Sequence, residues 1–171
     1  MWKFKLKDNR EITVRLLAAD DKVGLFQMFS SMSEEALEWS MAPYTMDVVQ
    51  RWVTNIHNLI PLVAEHNRTI VGYASIYKFP HQRRKGVGDL LIYLHQDFHN
   101  AGLGTVMMKR LLQLAKKEKM HKIEVGVVKD NVVAIHLYEN FGFRTEGVSK
   151  DSFYGRDREY HTMVHMGLQL D

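Results

Sequence analysis

A short glycine turn, residues 99–104 (HNAGLG), separates two segments of different periodicity and constrains the fold more than any other part of the chain. The apolar run at residues 88–95 favours a strand, and residues 105–119 place apolar side chains on one face at helical spacing. Because a helix N-terminus carries unpaired N–H groups and glycine lets the backbone approach a ligand closely, this strand–turn–helix unit is a candidate phosphate cradle.

Glycine at such a turn has a second explanation, because many strand-to-helix connections use it only to make the bend. A later segment favours the phosphate interpretation. Residues 131–143 (NVVAIHLYENFGF) follow a strand-like segment at residues 122–128, so one helix and one strand separate the two glycine-containing segments.

Together these two segments resemble the GNAT superfamily of N-acetyltransferases. Its pyrophosphate loop has the pattern Arg/Gln-x-x-Gly-x-Gly/Ala, which Gly102 and Gly104 match and which His99 does not. Its second pattern, Asn-x-x-Ala-x-x-Leu-Tyr-x-x-x-Gly-Phe, is matched by Asn131, Ala134, Leu137, Tyr138, Gly142 and Phe143. The resemblance extends from about residue 61 to about residue 168.

The composition is that of one globular domain spanning residues 1–171, with 46% hydrophobic and 25% charged residues. No apolar run is long enough to cross a membrane, and the first residues lack the apolar core of a signal peptide. The chain has no cysteine, which excludes disulfides and thiolate chemistry and is compatible with the cytoplasm, our expected location. The net charge of +3 suits an anionic cofactor, although most such surfaces are simply solvated.

The periodicity along the chain predicts a mixed order of strands and helices. Strands are expected at residues 11–17, 59–65, 69–79, 87–95, 122–128 and 160–168. Helices are expected at residues 20–30, 34–39, 45–57, 105–119 and 134–141, with Thr45 as a cap and with Ser31 and Glu34 spaced as a capping box. The resemblance implies an α/β (mixed α+β) fold, in which a central mixed, mostly antiparallel sheet has one splayed strand pair and helices on both faces.

The resemblance also implies acetyl-CoA as the co-substrate, held between the strand that ends at Leu94 and the strand that ends at Val128. Pantetheine would pair with the strand backbone like an added strand, and an N–H group near Leu94 would polarise the thioester carbonyl. Asn131 is inferred to contact the pantetheine arm, although a plain helix cap explains this residue equally well. The strand end and the loop are the expected cofactor-binding residues: Ile92, Tyr93, Leu94, His99, Asn100, Ala101, Gly102, Leu103, Gly104 and Thr105.

Tyr138 is the expected catalytic acid. The leaving group in this chemistry is a thiolate, which a phenol hydroxyl can bind or protonate, and Tyr138 is therefore expected to contact the cofactor as well. Without the resemblance, a core tyrosine on the apolar face of its helix would be the better interpretation.

The base for the acceptor amine is harder to identify. An alkyl amine is mostly protonated at neutral pH and must lose a proton before it attacks. Asp89 and Glu124 on neighbouring strands are the candidates, although each is more commonly a surface carboxylate, and His95 is a third candidate. Superfamily members often relay this proton through ordered water, so a single base need not exist.

We expect no metal site. His161 and His165 are four residues apart, but on a strand they are separated by about 13 Å, too far to share one ion.

The basic residues 83–85 are interpreted as a solvated turn, with binding of an acidic substrate as the alternative. The aromatic and methionine residues between positions 26 and 52 are interpreted first as core packing and second as a wall of the acceptor site.

The chain is identified as a member of the GNAT superfamily that transfers an acetyl group from acetyl-CoA to a primary amine by direct attack in a ternary complex. No cysteine and no recognisable serine nucleophile elbow is present to form an acyl-enzyme. The acceptor is a small molecule or a protein, and the alternative function is a non-catalytic module that binds CoA, nucleic acid or protein. We expect no membrane partner and do not favour nucleic acid. The resemblance also implies a homodimer, since many superfamily members pair through their C-terminal strands.

Overall fold

The computed structural model describes residues 1–170 as one eight-stranded sheet with helices on both faces. The strands are β1 Trp2–Lys5, β2 Glu11–Leu16, β3 Leu59–His66, β4 Thr69–Lys78, β5 Val87–Leu94, β6 Lys122–Val128, β7 Arg144–Tyr154 and β8 Tyr160–Gln169. The helices are α1 Lys22–Ser31, α2 Met46–Thr54, α3 Leu103–Lys117 and α4 Val132–Asn140. The strands lie in the order β1-β2-β3-β4-β5-β6-β8-β7. Only β5 and β6 run parallel, which confirms the predicted mixed, mostly antiparallel sheet.

Each face of the sheet packs against its own pair of helices. The side chains of Leu90, Ile92 and Leu94 point to the α3 and α4 face, whereas Leu91 and Tyr93 point to the α1 and α2 face. This alternation follows from the period of two along a strand. It gives the protein two apolar layers with β5 between them.

Helix α3 packs closely against the centre of the sheet. Helical spacing predicts an apolar face of Leu103, Met107, Leu111 and Leu114, and the first three are fully buried while Leu114 is partly buried. A Cβ atom added at Gly72 of β4 would lie 2.8 Å from the Met107 sulfur, so a side chain at this position would force the buried Met107 side chain to shift. Glycine at position 72 therefore leaves room for Met107 between α3 and the sheet.

The helix predicted at residues 34–39 is wrong, because that segment forms turns. The Ser31 hydroxyl donates to the Met28 carbonyl within α1, while the Ser33 side chain accepts a hydrogen bond from the Ala36 N–H group. A segment of six residues gains too few backbone hydrogen bonds to offset helix nucleation. The ring of Trp39 instead contacts a distant residue, Phe153 of β7.

Two strands were not predicted. Strand β1 is short and pairs only with β2, and β7 is exposed on both faces along most of its length, so it lacks the alternation that marks a half-buried strand. Elsewhere the differences are at element ends: Thr45 caps α2 as expected, but the helix ends at Thr54 and a short 3-10 turn, Ile56–Asn58, follows. No helix within residues 1–170 is both long enough and apolar enough to span a membrane.

Candidate active site

The sheet opens between its two parallel strands. Strands β5 and β6 pair only at Val87↔Lys122, Gly88↔Ile123 and Asp89↔Glu124. Beyond that point β5 stays paired with β4 and β6 stays paired with β8, so the two strands diverge. The result is an opening between residues 90–94 and residues 125–128, and it confirms the predicted splayed pair.

The β5 side of this opening presents unpaired backbone groups. At the two ends of β5, His95 N–H donates to Val71 O at 2.9 Å and Phe79 N–H donates to Val87 O at 3.3 Å. Antiparallel pairing alternates, so the odd-numbered residues of β5 bind β4 and the even-numbered ones face away from it. The N–H and C=O groups of Ile92 and Leu94 therefore face the opening, whereas the backbone of Tyr93 pairs with β4.

The β6 side follows the same rule. Lys129 N–H donates to Thr162 O at 2.9 Å. With the observed register, this means that the odd-numbered residues of β6 form their backbone hydrogen bonds with β8. Gly126 and Val128 consequently face the opening, and the Val128 carbonyl accepts from Asn131 N–H at 2.9 Å. The backbone of Gly126 is left to pair with a ligand across the gap.

The glycine turn lies at the end of β5 where the opening is widest. Asn100 and Gly102 have φ values of 59° and 89°, in the left-handed region that favours glycine, and Gly102 is the N-cap of α3. Helix α3 therefore begins at Leu103, two residues before the predicted start. A Cβ atom on Gly104 would lie 3.3 Å from both Leu94 and Leu137, so this glycine lets the turn, β5 and α4 pack together.

His99 is bound to the strand rather than extended from the turn. Its Nε2 atom lies 2.9 Å from the Leu94 carbonyl oxygen, and because a carbonyl can only accept, this nitrogen donates. The imidazole thereby occupies the carbonyl of Leu94 and leaves the N–H group of Leu94 facing the opening.

Asn131 and Tyr138 are brought to the opening by α4. The Asn131 side-chain oxygen accepts from Ala134 N–H at 3.2 Å and caps the helix, which leaves its amide nitrogen available. Tyr138 is 5% exposed and its ring contacts Phe143. Burial, and then the negative charge of Asp89, raise the pKa of the Tyr138 hydroxyl above its ordinary value, so it remains a neutral phenol at physiological pH.

Asp89 and Glu124 lie side by side at the apex of the opening, on the α1 and α2 face, but their environments differ. Glu124 forms an ion pair with Arg84 at 2.6 Å and lies 3.6 Å from Lys122. Asp89 is exposed at the surface, although the surrounding protein removes part of the water around its carboxylate. This loss of water and the negative charge of Glu124 raise the pKa of Asp89 to about 6. The positive charge of Arg84 opposes the rise.

His95, the third candidate base, is turned into the connection that follows β5. Its Nδ1 atom accepts from Asp97 N–H at 3.4 Å, and its Nε2 atom lies 3.3 Å from the Gln96 amide nitrogen. Both ring nitrogens therefore have neighbours within this short turn.

An aromatic layer covers the α1 and α2 side of the opening. Tyr93 lies beside Tyr44, from the α1–α2 connection, and the Tyr44 hydroxyl donates to the Tyr93 hydroxyl. Burial and the neighbouring Tyr44 and Tyr138 raise the pKa of Tyr93 above its ordinary value. The remaining rings of this layer are Phe29, Trp52 and Tyr73, with Trp52 stacked on Tyr73 at 4.9 Å.

Tyr44 was interpreted first as core packing and only second as an acceptor-site wall, and Arg84 first as part of a solvated turn, so the pairings that both make here were not predicted. Tyr44 meets a partner 49 residues away along the chain, and Arg84 meets one 40 residues away. No local pattern carries such a pairing. The basic turn at residues 83–85 is thus more than a solvated turn, since Arg84 also lies over the Phe79 ring at 4.3 Å.

His161 of β8 bridges two carboxylates, one of which, Asp130, lies shortly after β6. Its Nδ1 atom is 2.8 Å from Asp130, its Nε2 atom is 3.0 Å from Asp157, and its ring contacts Trp39. These hydrogen bonds raise the pKa of His161, first through Asp130 and then through Asp157. In the described part of the chain, no group of three or more His, Asp or Glu side chains is arranged to hold a metal ion.

Comparison with known proteins identifies the family. Residues 25–143, more than half of the chain, match the acetyltransferase (GNAT) family. The chain belongs to this family. The predicted resemblance is therefore confirmed, and the matched region contains the opening, the glycine turn and α4.

Among curated proteins, the GNAT chain is 29% identical over 106 residues to the L-amino acid N-acetyltransferase AaaT of Escherichia coli, covering 61% of this chain and 65% of that protein. It is 28% identical over 96 residues to a spermine/spermidine N(1)-acetyltransferase of Bacillus subtilis, covering 53% of this chain and 63% of that protein. The matched segments thus span less than two thirds of each relative.

Among solved structures, the GNAT chain matches that of yncA from Salmonella typhimurium, which was determined with its cofactor acetyl-CoA. The TM-score is 0.78 at 22% identity, and the match covers 94% of both chains. At this level of identity the likeness supports the fold, including the eight-stranded sheet and its helices.

Proposed function

We propose that this GNAT protein transfers the acetyl group of acetyl-CoA to a primary amine by direct attack. The observation that carries the proposal is the opening between β5 and β6, which ends at a glycine turn and is lined by unpaired backbone groups. Asp89 lies on one face of this opening and the Tyr138 hydroxyl on the other. The family membership and the acetyltransferase activities of the curated relatives support the same chemistry.

The residues that line the opening fit acetyl-CoA. An extended pantetheine arm could pair with the backbone of Ile92, Leu94 and Gly126 as an added strand would, because those groups lack a strand partner there. The amide nitrogen of Asn131 would donate to the same arm, because its side-chain oxygen is engaged in capping α4. The pyrophosphate would bind the first-turn N–H groups of α3, which the turn leaves unpaired. The residues proposed to form this turn site are His99, Asn100, Ala101, Gly102, Leu103, Gly104 and Thr105. The N–H group of His99 donates to the Gln96 carbonyl at 3.1 Å, so His99 shapes the turn and the residues after it make the phosphate contacts.

Acetyl-CoA supplies an acetyl group activated as a thioester. The N–H group of Leu94 polarises the acetyl carbonyl and stabilises the negative charge that develops on its oxygen. Tyr93 contributes its side chain rather than its backbone and forms part of the wall between the acetyl group and the acceptor.

Asp89 is the proposed base and Tyr138 the proposed acid. With a pKa of about 6, Asp89 is a carboxylate at neutral pH and accepts the proton of the acceptor ammonium, directly or through water. Glu124 is bound by Arg84 and acts on Asp89 through its charge. Tyr138 remains neutral and donates its proton to the departing sulfur.

The acceptor is proposed to be a small-molecule amine that enters from the aromatic layer. Both curated relatives are named for small-molecule amine acceptors, an L-amino acid in one case and a polyamine in the other.

We further propose that residues 1–171 form one catalytic domain that acts in the cytoplasm, since a chain without cysteine needs no oxidising compartment. A homodimer could form through β7, an exposed edge strand that carries exposed Val148 and Tyr154.

Calorimetric titration with acetyl-CoA tests the proposal, with the Gly102→Glu variant beside the wild type. The added carboxylate repels phosphate and strains a backbone with a φ of 89°. Micromolar binding by the wild type and none by the variant, followed by CoA release with an amine from a panel of amino acids and polyamines, is the expected result. Absence of binding by the wild type at millimolar acetyl-CoA would overturn the proposal, and binding without turnover would indicate the non-catalytic alternative.

A further inference from the structure

The turn between β1 and β2 is attached to the glycine turn. Lys7 N–H donates to the Ala101 carbonyl at 3.1 Å, and the Arg10 guanidinium donates to the Asp97 carbonyl at 2.8 Å. The same guanidinium lies over the Phe98 ring at 3.8 Å. These contacts fix the backbone of residues 6–10 against the segment that leads into α3.

The side chain of Lys7 runs along Gly102. A Cβ atom built on Gly102 would lie 3.6 Å from both Cγ and Cε of Lys7, so the methylene chain covers this glycine at ordinary contact distance. The ammonium group is one bond beyond Cε and therefore lies beside the N-terminus of α3. The adjacent carboxylate of Asp8 is bound by Arg10 at 2.6 Å, and Lys7 forms no ion pair with any carboxylate within residues 1–170.

The turn itself carries no other cation. His99 stands where the superfamily pattern has Arg or Gln, and its imidazole nitrogen donates to the Leu94 carbonyl. A ring that is bound to the strand in this way does not extend toward an anion at the helix N-terminus. The turn would therefore hold phosphates through backbone N–H groups alone unless a neighbouring element supplies the charge.

We propose that Lys7 supplies this charge and binds the phosphate groups of CoA at the glycine turn, in place of the arginine that is absent at position 99. This inference rests on the proposed function, because it assumes that CoA occupies the turn. The ion pair is effective because the hydrogen bond to Ala101 fixes the lysine backbone before the ligand arrives, so that only the side chain has to be ordered.

Titration of CoA into the Lys7→Gln variant, by calorimetry, tests the inference without requiring activity. Lys3→Gln is the matched control, because it removes an exposed lysine from the same hairpin. An exposed ion pair contributes up to about a fivefold change in affinity, so the Kd of Lys7→Gln is expected to rise about fivefold at about 50 mM salt. This difference should shrink at about 500 mM salt, where screening is stronger.

Two further variants separate charge from structure. Lys7→Arg should retain the wild-type Kd, and His99→Arg introduced into the Lys7→Gln protein should recover most of the lost affinity. Equal Kd values for Lys7→Gln and Lys3→Gln, in a wild type that binds CoA and loses binding on Gly102→Glu, would overturn the role of Lys7 and leave the proposed function intact. Absence of CoA binding by the wild type would overturn both.

Discussion

Replacing Asp89 by asparagine should stabilise the folded protein at neutral pH while it lowers acetyltransferase activity. Partial burial and the charge of Glu124 raise the pKa of Asp89 from 3.8 to about 6 in the folded state. Between these two values the folded protein binds a proton that the unfolded chain does not bind, so the stability of the wild type falls as the pH rises from about 4 to about 6. Above that range the loss is complete and constant.

The magnitude follows from the size of the shift. A shift of about two pKa units corresponds to about 3 kcal/mol if it is fully expressed as stability. Because Asp89 is an exposed residue, solvent screening reduces the expected gain for Asp89→Asn to about 1 kcal/mol at a pH of about 7 to 8. The substitution keeps the shape of the side chain and leaves the Arg84–Glu124 pair, at 2.6 Å, in place.

Urea unfolding of wild type and Asp89→Asn across a pH range of about 4 to 8 measures this gain. The two proteins should be equally stable at the acid end and should separate above it, while Glu35→Gln, which removes an exposed carboxylate elsewhere, should show no such pattern. A gain of equal size at both ends, or a loss at the alkaline end, would refute the reasoning. In the same proteins, kcat/KM with an amine acceptor should fall about a hundredfold or more for Asp89→Asn.

Three other predictions concern the proposed acid Tyr138, the ion-paired His161 and the buried Gly72. Tyr138→Phe should lower kcat about a hundredfold with less than a twofold change in the Kd for acetyl-CoA, measured by thiol release and by calorimetry; an unchanged kcat would exclude Tyr138 as the acid. The raised pKa of His161 means that its ion pairs stabilise the protein fully below the unfolded value of 6.5, and that this stability is lost as the pH rises through the folded value. The Tm of His161→Gln should therefore vary less than that of the wild type between a pH of about 6 and about 9, and equal slopes would contradict this assignment. Gly72→Ala should cost about 1 to 3 kcal/mol in urea unfolding, because its Cβ atom would lie 2.8 Å from the Met107 sulfur, and Met107→Ala in the same chain should make the added methyl group tolerable.

Local sequence patterns predicted most of the elements around the opening between β5 and β6. The glycine turn, the helix after it and the Thr45 cap are each specified by residues within one or two turns of one another, so their chemistry is readable without knowledge of the fold. The helix predicted at residues 34–39 was wrong because a local pattern does not include distant contacts. Trp39 contacts Phe153, which is far away along the chain.

The positions of Asp89 and Glu124 show the limit of a residue-by-residue prediction. Both were named as candidate bases, but Arg84 forms an ion pair with Glu124 and not with Asp89. The two carboxylates therefore differ in charge pairing, and the pKa of Asp89 is raised. Two further contacts were also not predicted. The His99 side chain binds the Leu94 carbonyl of β5, and Lys7, from the hairpin of β1 and β2, contacts Gly102.

The sequence by itself indicated the family through the motifs at residues 99–104 and 131–143. It also determined the order of the central elements and the position of the glycine turn, because short-range periodicity and the backbone requirements of glycine are encoded by neighbouring residues. Only the tertiary structure decided which backbone groups face the opening, which carboxylate remains unpaired and which lysine reaches the turn. Those outcomes depend on strand register, on the Arg84–Glu124 ion pair between residues 40 positions apart and on the contact of Lys7 with Gly102, all of which exist only once the chain has folded.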